Sequence, residues 1–568
     1  YINPYPFNPK TTKVIKIIMS PSFLFFLLFL LKFNSLSSHA SPPPPPPSPA
    51  PSVYDTFVSC LTKNSIPQSE ISKIVYSPND PSFNSILQAY IRNGRFFNSS
   101  TTSKPVIIVT PSVESQVAGV VICTKQTNLQ LKIRSGGHDY EGISYISDVP
   151  FIMLDMFNLR SISIDTNDKT AWVQTGAILG ELYYNIWKKS EVLGFPAGVC
   201  PTVGVGGHVS GGGYGNMLRK FGLTVDSVLD ARLVDVNGRI LDRKSMGEDL
   251  FWAIKGGGGA SFGVILAFQI QLVTVPQTVT YFRVERFIED NSTTDAVVQW
   301  QNVASKIDND LYMRLLIQPI TVKAKAKGAK STKSIRATFI ALFLGDSNIL
   351  MSLISKEFPL LGLTKQDCLE MSWIDSVLHW GNFDNTTKPE ALLNRQGDPL
   401  NYLKRKSDYV QTPIPKKGLE SIFEKMISLG KAGMVFNPYG GRMGEIAEGE
   451  TPFPHRAGIL FKIQYSVNWH EQGLTAEKDH LSQIRDLYSF MTPYVSKNPR
   501  QAYLNYRDLD IGINDQGPQS LEKGRVYGTK YFKNNFDRLV KVKTMVDPQN
   551  FFRNEQSIPT LRKQRKMF

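Results

Sequence analysis

Two side chains with nucleophilic chemistry adjoin glycine-rich stretches of this 568-residue chain. His138 follows the pair Gly136–Gly137, and Cys200 precedes a segment, 204–215, in which seven of twelve residues are glycine. Glycine lets a backbone pass close to a flat or anionic group, because it has no side chain to interfere. Tight structural turns are the alternative explanation of so many glycines. The neighbouring imidazole and thiol favour a bound cofactor over turns alone.

The glycine segment does not match the dinucleotide-binding fingerprint of a Rossmann fold. After Gly204 and Gly206 that pattern needs glycine at position 209, where Val209 stands, and no βαβ unit opens there. Alternating apolar residues at 129–133 instead predict a strand that leads into the loop of His138. The free amides of that loop could hold a diphosphate.

The four cysteines contain no CxxC pair for structural zinc, and we predict no metal site. In an oxidising compartment Cys60 and Cys123 could pair and join two helices. Cys368 lies in the helical-looking stretch DCLEMSWI and is expected to be a buried small hydrophobic residue. Cys200 lies in a loop that cannot bury it well, so we expect its sulfur to be covalently occupied.

The elements that must position these residues alternate along the chain. Apolar residues at helical spacing between Phe83 and Ile91 predict one helix, and Thr110-Pro111 predicts the start of another. A strand at about 228–236 turns at Asn237-Gly238, a dipeptide preferred in tight hairpins. The alternation continues to about residue 275 and predicts an α+β fold.

The first 52 residues are predicted to precede the folded protein. Phe23–Leu31 is an apolar run of nine residues, too short to span a bilayer and suited to the hydrophobic core of a signal peptide. We predict a signal peptide at residues 1–40, with Met19 as its expected start, and a proline-rich leader at residues 41–52. A membrane anchor is the alternative, and the leader could tether the protein to a cell wall.

Composition and charge narrow the range of partners. Lys and Arg total 64 against 49 Asp and Glu, a net charge of +15, but the basic residues are dispersed and no nucleic-acid-binding motif accompanies them. We expect no nucleic-acid partner, while an acidic wall polysaccharide remains a candidate. The basic run 323–333 is predicted to be a solvated loop. Sequons at Asn98, Asn291 and Asn385 fit a glycosylated, secreted chain.

Much of the chain, residues 54–560, resembles plant berberine bridge enzyme-like (reticuline oxidase-like) FAD-linked oxidoreductases. The resemblance implies a vanillyl-alcohol-oxidase/PCMH-type FAD-binding domain formed by both chain ends, residues 53–275 and 496–560. A central α+β substrate domain with an antiparallel sheet is implied at residues 276–495. The strings that carry the resemblance are RSGGHDYEG (134–142), GVCPTVGVGGHVSGGGYG (198–215), KGGGGASFGV (255–264) and DPQNFFRNEQSIP (547–559).

The resemblance implies FAD attached twice, through His138 to the 8α-methyl group and through Cys200 to C6 of the isoalloxazine, and a Cys60–Cys123 disulfide. Two attachments fix the ring for hydride transfer and raise its reduction potential. His208 is expected near the ribityl chain and the N1–C2=O edge, with a hydrogen-bonded core histidine as the alternative. The full set of expected FAD-binding residues is Arg134, Ser135, Gly136, Gly137, His138, Cys200, Val203, Gly206, Gly207, His208, Gly211, Gly213, Gly263 and Val264.

On the substrate side the resemblance implies a tyrosine base assisted by a lysine. Relatives that cyclise alkaloids carry a glutamate where this chain has Gln464, in the string KIQY. The expected catalytic residues are Tyr214 with Lys462, alongside Tyr140, Gln464 and Tyr506. A cation beside a phenol lowers the pKa of that phenol. Which tyrosine is the base stays open, and each tyrosine taken alone could be a packed aromatic.

These expectations describe a secreted oxidase that takes hydride from an alcohol and reduces O2 to H2O2. The use of O2 is expected because Val203 is a small residue at the family position that controls oxygen access. The substrate would be a monolignol-type aromatic alcohol or the anomeric hydroxyl of a carbohydrate. The first alternative is an oxidative cyclase, dehydrogenase or Diels–Alderase acting on prenylated phenols, and the second is a non-enzymatic wall or storage protein. The expected location is the secretory pathway, ending in the cell wall or vacuole, with no membrane span after signal cleavage.

Overall fold

The computed structural model describes residues 52–97, 103–290, 292–322, 332–396, 400–515 and 517–561. The predicted signal peptide, the sequons at Asn98 and Asn291 and most of the basic run 323–333 lie outside these residues, so they stay predictions. The described residues from Val53 onward belong to one compact unit of mixed α+β structure. The domain boundaries expected at residues 275 and 495 also stay predictions.

The strands are numbered here in chain order. They are β1 (Val75–Tyr76), β2 (Ile107–Val109), β3 (Gln130–Arg134), β4 (Phe151–Asp155), β5 (Ile162–Asp165), β6 (Thr170–Gln174), β7 (Leu193–Gly194), β8 (Val228–Val234), β9 (Ile240–Leu241), β10 (Val264–Gln271), β11 (Val273–Thr274), β12 (Val279–Phe287), β13 (Leu311–Val322), β14 (Thr332–Phe343), β15 (Cys368–Met371), β16 (Tyr402–Val410), β17 (Gly433–Pro438) and β18 (Phe461–Trp469).

The helices are numbered in the same way. They are α1 (Val53–Lys63), α2 (Gln68–Ile74), α3 (Phe83–Gln88), α4 (Glu114–Thr127), α5 (Leu179–Lys189), α6 (Val205–Ser210), α7 (Leu218–Phe221), α8 (Arg243–Ile254), α9 (Ser292–Val303), α10 (Ser347–Glu357), α11 (Trp373–Trp380), α12 (Lys416–Leu429), α13 (Arg442–Glu445), α14 (Leu474–Phe490), α15 (Ser520–Phe532) and α16 (Asn535–Val546). In the described part of the chain, none of them combines the length and apolar character needed to cross a bilayer.

Two large sheets, beside the two-stranded pair of β7 and β11, occupy the described N-terminal half of the folded chain. One has the order β1-β2-β4-β3, with β2, β4 and β3 parallel, and α1 and α4 contribute to the core beside it. Both β3 and β4 are buried on both faces, as is usual for parallel strands. The other sheet is antiparallel with the order β5-β6-β10-β8-β9. The loop of His138 leaves the carboxyl end of β3.

The third large sheet is antiparallel, with seven strands in the order β15-β12-β14-β13-β17-β18-β16. Side chains alternate between the two faces of a strand. Apolar residues such as Leu315, Phe436 and Ile463 pack against α9, α12 and α14 on one face. The neighbouring positions Arg314 and Lys462 belong to the opposite face. This alternation gives the sheet one polar face directed away from the three helices.

Several sequence predictions of elements are confirmed, and two are wrong. The strand at 129–133 is β3, and β8 and β9 form the hairpin around Asn237-Gly238. Helix α4 begins at Glu114 rather than at Thr110-Pro111, because the side-chain oxygen of Gln116 accepts from the amides of residues 112 and 113. The stretch at Cys368 is strand β15, paired with β12, and Cys368 is only half-buried. Pairing along a sheet edge overrides its helical appearance.

The disulfide between Cys60 and Cys123 is present and joins α1 to α4, which confirms the expected pairing. Both cysteines belong to the core beside the four-stranded sheet. The predicted helix between Phe83 and Ile91 is α3, which ends at Gln88.

Candidate active site

The loop of His138 and the loop of Cys200 meet backbone to backbone. A Cβ atom on Gly136 would lie 2.3 Å from the amide nitrogen of Gly204, and a Cβ on Gly204 would lie 2.3 Å from that of Gly136. Only glycine allows this approach at both positions. The imidazole Nε2 of His138 lies 3.0 Å from the hydroxyl of Thr202, two residues after Cys200. The glycines therefore bring the two predicted attachment residues to one place.

Both loops line a cavity of about 370 Å³. The lining combines glycine-rich backbone with a group of tyrosines and includes side chains from the seven-stranded sheet. The predicted site residues that line it are Ser135, Gly136, Gly137, His138, Tyr140, Cys200, Val203, Gly206, Gly207, His208, Gly211, Tyr214, Gly263, Gln464 and Tyr506.

Three of the expected FAD-binding residues do not line the cavity. The side chain of Arg134 is fully buried, forms an ion pair with Asp155 and donates hydrogen bonds to two backbone carbonyls of α3. Gly213 has a φ of +69°, and a Cβ there would lie 2.6 Å from the Thr224 hydroxyl. Val264 begins β10 and is buried in the core. These three residues stabilise the fold around the cavity. For Gly213 this agrees with the alternative explanation that some of the glycines serve tight structural turns.

Two observations fit a dinucleotide in the cavity. A Cβ on Gly207 would meet no protein atom within 4 Å, so the backbone there borders open space. The Nη1 atom of Arg507 is buried without a hydrogen-bond partner among the described residues, while its Nε donates to Asp139. A buried guanidinium nitrogen without an acceptor suits an anionic group such as a diphosphate. Arg553 of the C-terminal segment also lines the cavity.

The two predicted attachment residues differ in their surroundings. Burial, with a contribution from Arg92, lowers the pKa of His138 to about 3, so its imidazole is neutral and keeps a nitrogen lone pair. Cys200 is exposed, as its loop predicted. In the described residues no cluster of three or more His, Cys, Asp or Glu side chains could hold a metal ion.

A cluster of aromatic rings surrounds one buried lysine. Tyr214 and Tyr506 are hydrogen-bonded through their phenol oxygens. The Nζ atom of Lys462 lies 3.3 Å from the ring centroid of Tyr214 and 3.7 Å from that of Tyr503. This Nζ has no hydrogen-bond partner among the residues that the structure describes. Lys462 therefore supports the ring faces and does not border the cavity.

The electrostatics of this cluster differ from the expectation that Lys462 lowers the pKa of a phenol. Burial, followed by Arg314, lowers the pKa of Lys462 well below its ordinary value, which weakens it as a cation. Burial raises the pKa of Tyr214, while Arg314 and the hydrogen bond with Tyr506 act in the opposite direction. The pKa of Tyr506 is raised well above its ordinary value, first by burial and then by Tyr214. Of the two phenols, Tyr214 is the better placed to carry a negative charge.

Arg314 is a residue that the sequence analysis missed. Its Nε donates to the Asn437 side-chain oxygen at 3.0 Å, and Asn437 is paired with Lys462 across β17 and β18. Three neighbouring strands thus present one polar row beside the tyrosines. The available signal was a single arginine within the apolar run of β13. Tyr503 was also missed; its phenol oxygen accepts from the amide of Gly213.

Gln464 and His208 both line the cavity, but they make different contacts. Gln464 lies two residues after Lys462 on the same strand face, and its amide donates to the phenol oxygen of Tyr140 at 2.9 Å. His208 lines the cavity, but its Nε2 also lies 3.2 Å from the Gly198 amide and 3.1 Å from the Thr224 hydroxyl. Burial, followed by Lys462, lowers the pKa of His208 to about 3. These contacts make His208 a hydrogen-bonded core histidine that also borders the cavity.

Comparisons with known proteins assign this chain to a family of FAD-binding proteins. Residues 105–243 match the family model described as FAD binding domain, and residues 502–559 match the model described as berberine and berberine like. Berberine bridge enzyme-like 21 of Arabidopsis thaliana is 59% identical over 543 residues, which cover 95% of this chain and 98% of that protein.

Solved structures resemble this chain over most of its length. Phl p 4, a grass pollen allergen with glucose dehydrogenase activity, has a TM-score of 0.82 and 43% identity, covering 89% of this chain and 100% of that one. A Phl p 4 variant in which isoleucine is replaced by valine is a glucose oxidase. A variant of berberine bridge enzyme has a TM-score of 0.83 and 38% identity, covering 90% of this chain and 100% of that one.

Proposed function

Since the chain belongs to the berberine bridge enzyme-like family of FAD-dependent oxidoreductases, we propose that it is an oxidase of alcohols. The reaction converts an alcohol and O2 into the carbonyl compound and H2O2. The observation that supports it most is the single cavity that joins His138 and Cys200 to the phenol pair of Tyr214 and Tyr506. The cofactor and a proton acceptor are thereby brought to the same substrate.

The residues proposed to hold FAD are those of the two glycine-rich loops, with His138 and Cys200 as covalent attachments. Arg507 supplies a cationic group for the diphosphate, and the backbone at Gly207 borders open space in the same cavity. When bound, FAD supplies the hydride acceptor and passes the electrons to O2. This cofactor domain is proposed to have the vanillyl-alcohol-oxidase type of fold, built from both ends of the chain.

The side chains of the cavity handle the proton of the substrate hydroxyl. Tyr214 accepts that proton while the hydride leaves the carbon that bears the hydroxyl group. Burial raises the pKa of Tyr214, and the charge of Arg314 and the hydrogen bond with Tyr506 offset part of that rise. Gln464 fixes the phenol of Tyr140, which leaves a second oxygen to orient the substrate. Lys462 keeps the rings of Tyr214 and Tyr503 in place because its Nζ atom packs against their faces.

A carbohydrate hydroxyl is the substrate class that the relatives favour. Phl p 4 acts on glucose, and the polar groups of Arg314, Gln464 and Asn505 line this cavity together with tyrosine rings. Rings and hydrogen-bonding groups also suit a monolignol-type alcohol, which remains the second candidate. The likeness to berberine bridge enzyme keeps an oxidative cyclase as an alternative.

Oxygen as the electron acceptor is proposed from Val203. This residue lines the cavity three positions after Cys200. In Phl p 4, the wild-type protein is a glucose dehydrogenase and the variant with valine in place of isoleucine is a glucose oxidase. A valine beside the cofactor is therefore consistent with oxygen access.

The proposal is tested with purified protein and a panel of glucose, cellobiose, oligogalacturonides and coniferyl alcohol. We expect anaerobic loss of flavin colour and aerobic release of peroxide with at least one of them. No colour loss and no peroxide with any member would reject an alcohol oxidase of this range. Product formed while the flavin stays oxidised would instead identify a cyclase.

Covalent attachment has a separate test. After acid precipitation and filtration, the yellow colour should stay with the wild-type protein and with each of the His138→Ala and Cys200→Ala variants. The double variant should release it, because both attachment side chains are then absent. Colour released from the wild-type protein would contradict the attachment.

The secretory location is part of the proposal. Asn385 is exposed, as a glycan requires, and lies in a turn. An N-glycosidase should reduce the apparent mass of the plant-expressed protein, and Asn385→Gln should remove part of that shift. Protein that is unaffected by the glycosidase and stays in the cytosol would exclude secretion.

A further inference from the structure

A network of buried ion pairs lies beside the tyrosine cluster and has no part in the chemistry proposed above. Lys404 on β16 has a side chain that is only 2% exposed. Its Nζ contacts the carboxylate of Glu141 and lies 2.8 Å from Oδ1 of Asp508. The neighbouring Lys406 contacts the other oxygen of Asp508 at 2.5 Å and Asp510 at 3.0 Å. Both lysines are thus paired within the protein interior.

The outer part of the network is charge-balanced. Arg95 lies 3.6 Å from Glu141 and 2.7 Å from Glu477, and Arg485 lies 2.7 Å from Asp510. Burial alone would lower the pKa of Lys404, but the carboxylates of Asp508, Glu141 and Asp510 outweigh it and raise that pKa above its ordinary value. Lys404 therefore stays a cation at the centre of the network.

The carboxylates that Lys404 joins are adjacent to catalytic tyrosines in the chain. Glu141 directly follows Tyr140, and Asp508 lies two residues after Tyr506. Strand β16, which carries Lys404, is paired with β18, which carries Gln464. One ammonium group thus connects the segment of Tyr140, the segment of Tyr506 and the sheet.

Only Lys404 makes this three-way connection among the described residues. Lys406 also ties Asp508 to β16, so that link exists twice. Arg95 ties Glu141 to Glu477 of α14, which leaves Asp508 out of that link. The Tyr140 and Tyr506 segments are also joined directly, because Arg507 donates to Asp139 and the amide of Leu509 donates to Glu141. The contact that would disappear with Lys404 alone is the single cation that holds both Glu141 and Asp508 against β16.

We infer that Lys404 is a positioning residue for the reaction: through Glu141 and Asp508 it sets the position of Tyr140 relative to Tyr506 and Gln464. The inference rests on the proposed function for its effect on rate, and on geometry alone for its effect on structure. A small misplacement of reacting groups costs a large factor in rate. Lys404 therefore acts on catalysis without touching substrate.

The kinetic test compares Lys404→Met with Lys406→Met, at equal flavin content. At saturating substrate, Lys404→Met should slow anaerobic flavin reduction about tenfold or more, with KM changed less than about threefold. Lys406→Met should change the rate less than about threefold, because Lys404 still holds Asp508. Lys416→Met removes an exposed ion pair with Asp295 and is the control for substitution itself. Equal effects of Lys404→Met and Lys406→Met would overturn the inference.

Glu141→Gln tests the same link in a variant of nearly unchanged shape, which serves if Lys404→Met does not fold. The rate of the Glu141→Gln, Lys404→Met double variant should equal that of the slower single variant, because both remove one connection. Effects that multiply would show that the two residues act separately, and would overturn the inference.

Crystal structures give a readout that needs no substrate. The distance between the Gln464 side-chain nitrogen and the Tyr140 phenol oxygen is 2.9 Å and should exceed hydrogen-bond length in Lys404→Met or Glu141→Gln. An unchanged distance in both variants would overturn the inference. If the wild-type protein oxidises none of the alcohols, the proposed function fails, and this distance still decides the role of Lys404.

Discussion

At the residue scale, the hydrogen bond between Tyr214 and Tyr506 divides the roles of two similar side chains. The phenol that accepts this bond has its negative form stabilised, and the phenol that donates it does not. For Tyr214 the bond lowers the pKa, and for Tyr506 it raises the pKa. Arg314 lowers both. The two phenols are therefore inequivalent, which is consistent with the proposed roles of Tyr214 as the base and Tyr506 as its hydrogen-bond donor.

This asymmetry predicts different kinetics for two substitutions. Tyr214→Phe should slow anaerobic flavin reduction by roughly 10²–10⁴-fold, the usual contribution of a positioned base. Tyr506→Phe should retain a measurable rate but need a higher pH, since losing the donor raises the pKa of Tyr214 and the base must be deprotonated. Stopped-flow reduction across a pH series checks both, with Tyr76→Phe on β1 as the control. Wild-type rates in Tyr214→Phe would remove the phenol from the mechanism.

Val203 gives a second prediction at this scale. Val203→Ile should slow the reaction of the reduced enzyme with O2 by about tenfold or more, because one added methylene narrows the approach to the cofactor. The rate of anaerobic reduction by the alcohol is the internal control and should stay unchanged. Unaltered reoxidation would show that oxygen reaches the flavin by another route.

At the scale of elements, the sequence patterns correctly predicted those strands and turns that depend only on residues close together in the chain. The alternation at 129–133 and the dipeptide Asn237-Gly238 gave β3 and a hairpin correctly, because period and turn chemistry are local. The row formed by Arg314, Asn437 and Lys462 could not be predicted, since it depends on the register of strands far apart in the chain. Cys368 was assigned to a helix for the same reason, because only its pairing with β12 makes it a strand.

The link between α1 and α4 predicts a large effect of removing one disulfide. The bond closes a loop with a sequence separation of 63 residues, for which the chain-entropy model gives a stabilisation of about 4 kcal/mol. Cys60→Ala with Cys123→Ala should lower the free energy of unfolding by that amount in urea titrations. Cys368→Ala, outside the disulfide, should have a much smaller effect. A double variant as stable as the wild-type protein would contradict this entropy argument.

His455 joins three elements and predicts a pH dependence of stability. Its ring stacks on Tyr409 of β16, and its nitrogens contact Gln501 and the carbonyl of Tyr531 on α15. Burial lowers its pKa from 6.5 to about 3. Between these values the unfolded chain binds a proton that the folded protein does not, so stability falls as pH falls.

The size of this effect can be measured by substitution. Lowering the pH from about 6.5 to about 5 should cost the wild-type protein about 2 kcal/mol through His455. His455→Gln should be less stable at neutral pH but should lose about 2 kcal/mol less over this range. His470→Gln, at an exposed position, is the control. Equal pH slopes of the urea midpoints in all three proteins would show that His455 is protonated in the fold.

At the scale of the whole molecule, the cavity is lined by residues from distant parts of the chain. Its lining runs from Leu131 in β3 to Gln556 near the C-terminus and includes Arg314 from the central sheet. The glycine motifs located the cavity from sequence, because close backbone approach needs glycine wherever it occurs. They could not indicate Arg507 or Arg553, since a lone arginine in a loop has no local signal until the chain is folded.

Lys543 connects the C-terminal helix α16 to this cavity. Its fully buried ammonium group donates to Asp547, to the carbonyl of Ser261 in a cavity-lining loop and to the carbonyl of Phe552. Lys543→Met should cost roughly 3–5 kcal/mol of unfolding free energy, because it leaves the buried carboxylate of Asp547 without its cation. It should also reduce flavin content. Thermal unfolding and the flavin-to-protein absorbance ratio check both effects.

The control for this prediction lies on the same helix. Lys541 is exposed on α16, so Lys541→Met should leave thermal unfolding and flavin content unchanged. If Lys543→Met matched Lys541→Met in both measurements, the three buried contacts would carry no net stability.

The contact between Gly136 and Gly204 also constrains how this gene can change over generations. Each position excludes every side chain because of the backbone at the other. No compensating substitution exists. A larger residue at one position would need a smaller residue at the other, and no residue is smaller than glycine. Both codons should therefore be invariant in natural populations, and any missense allele at either should behave as a loss of function.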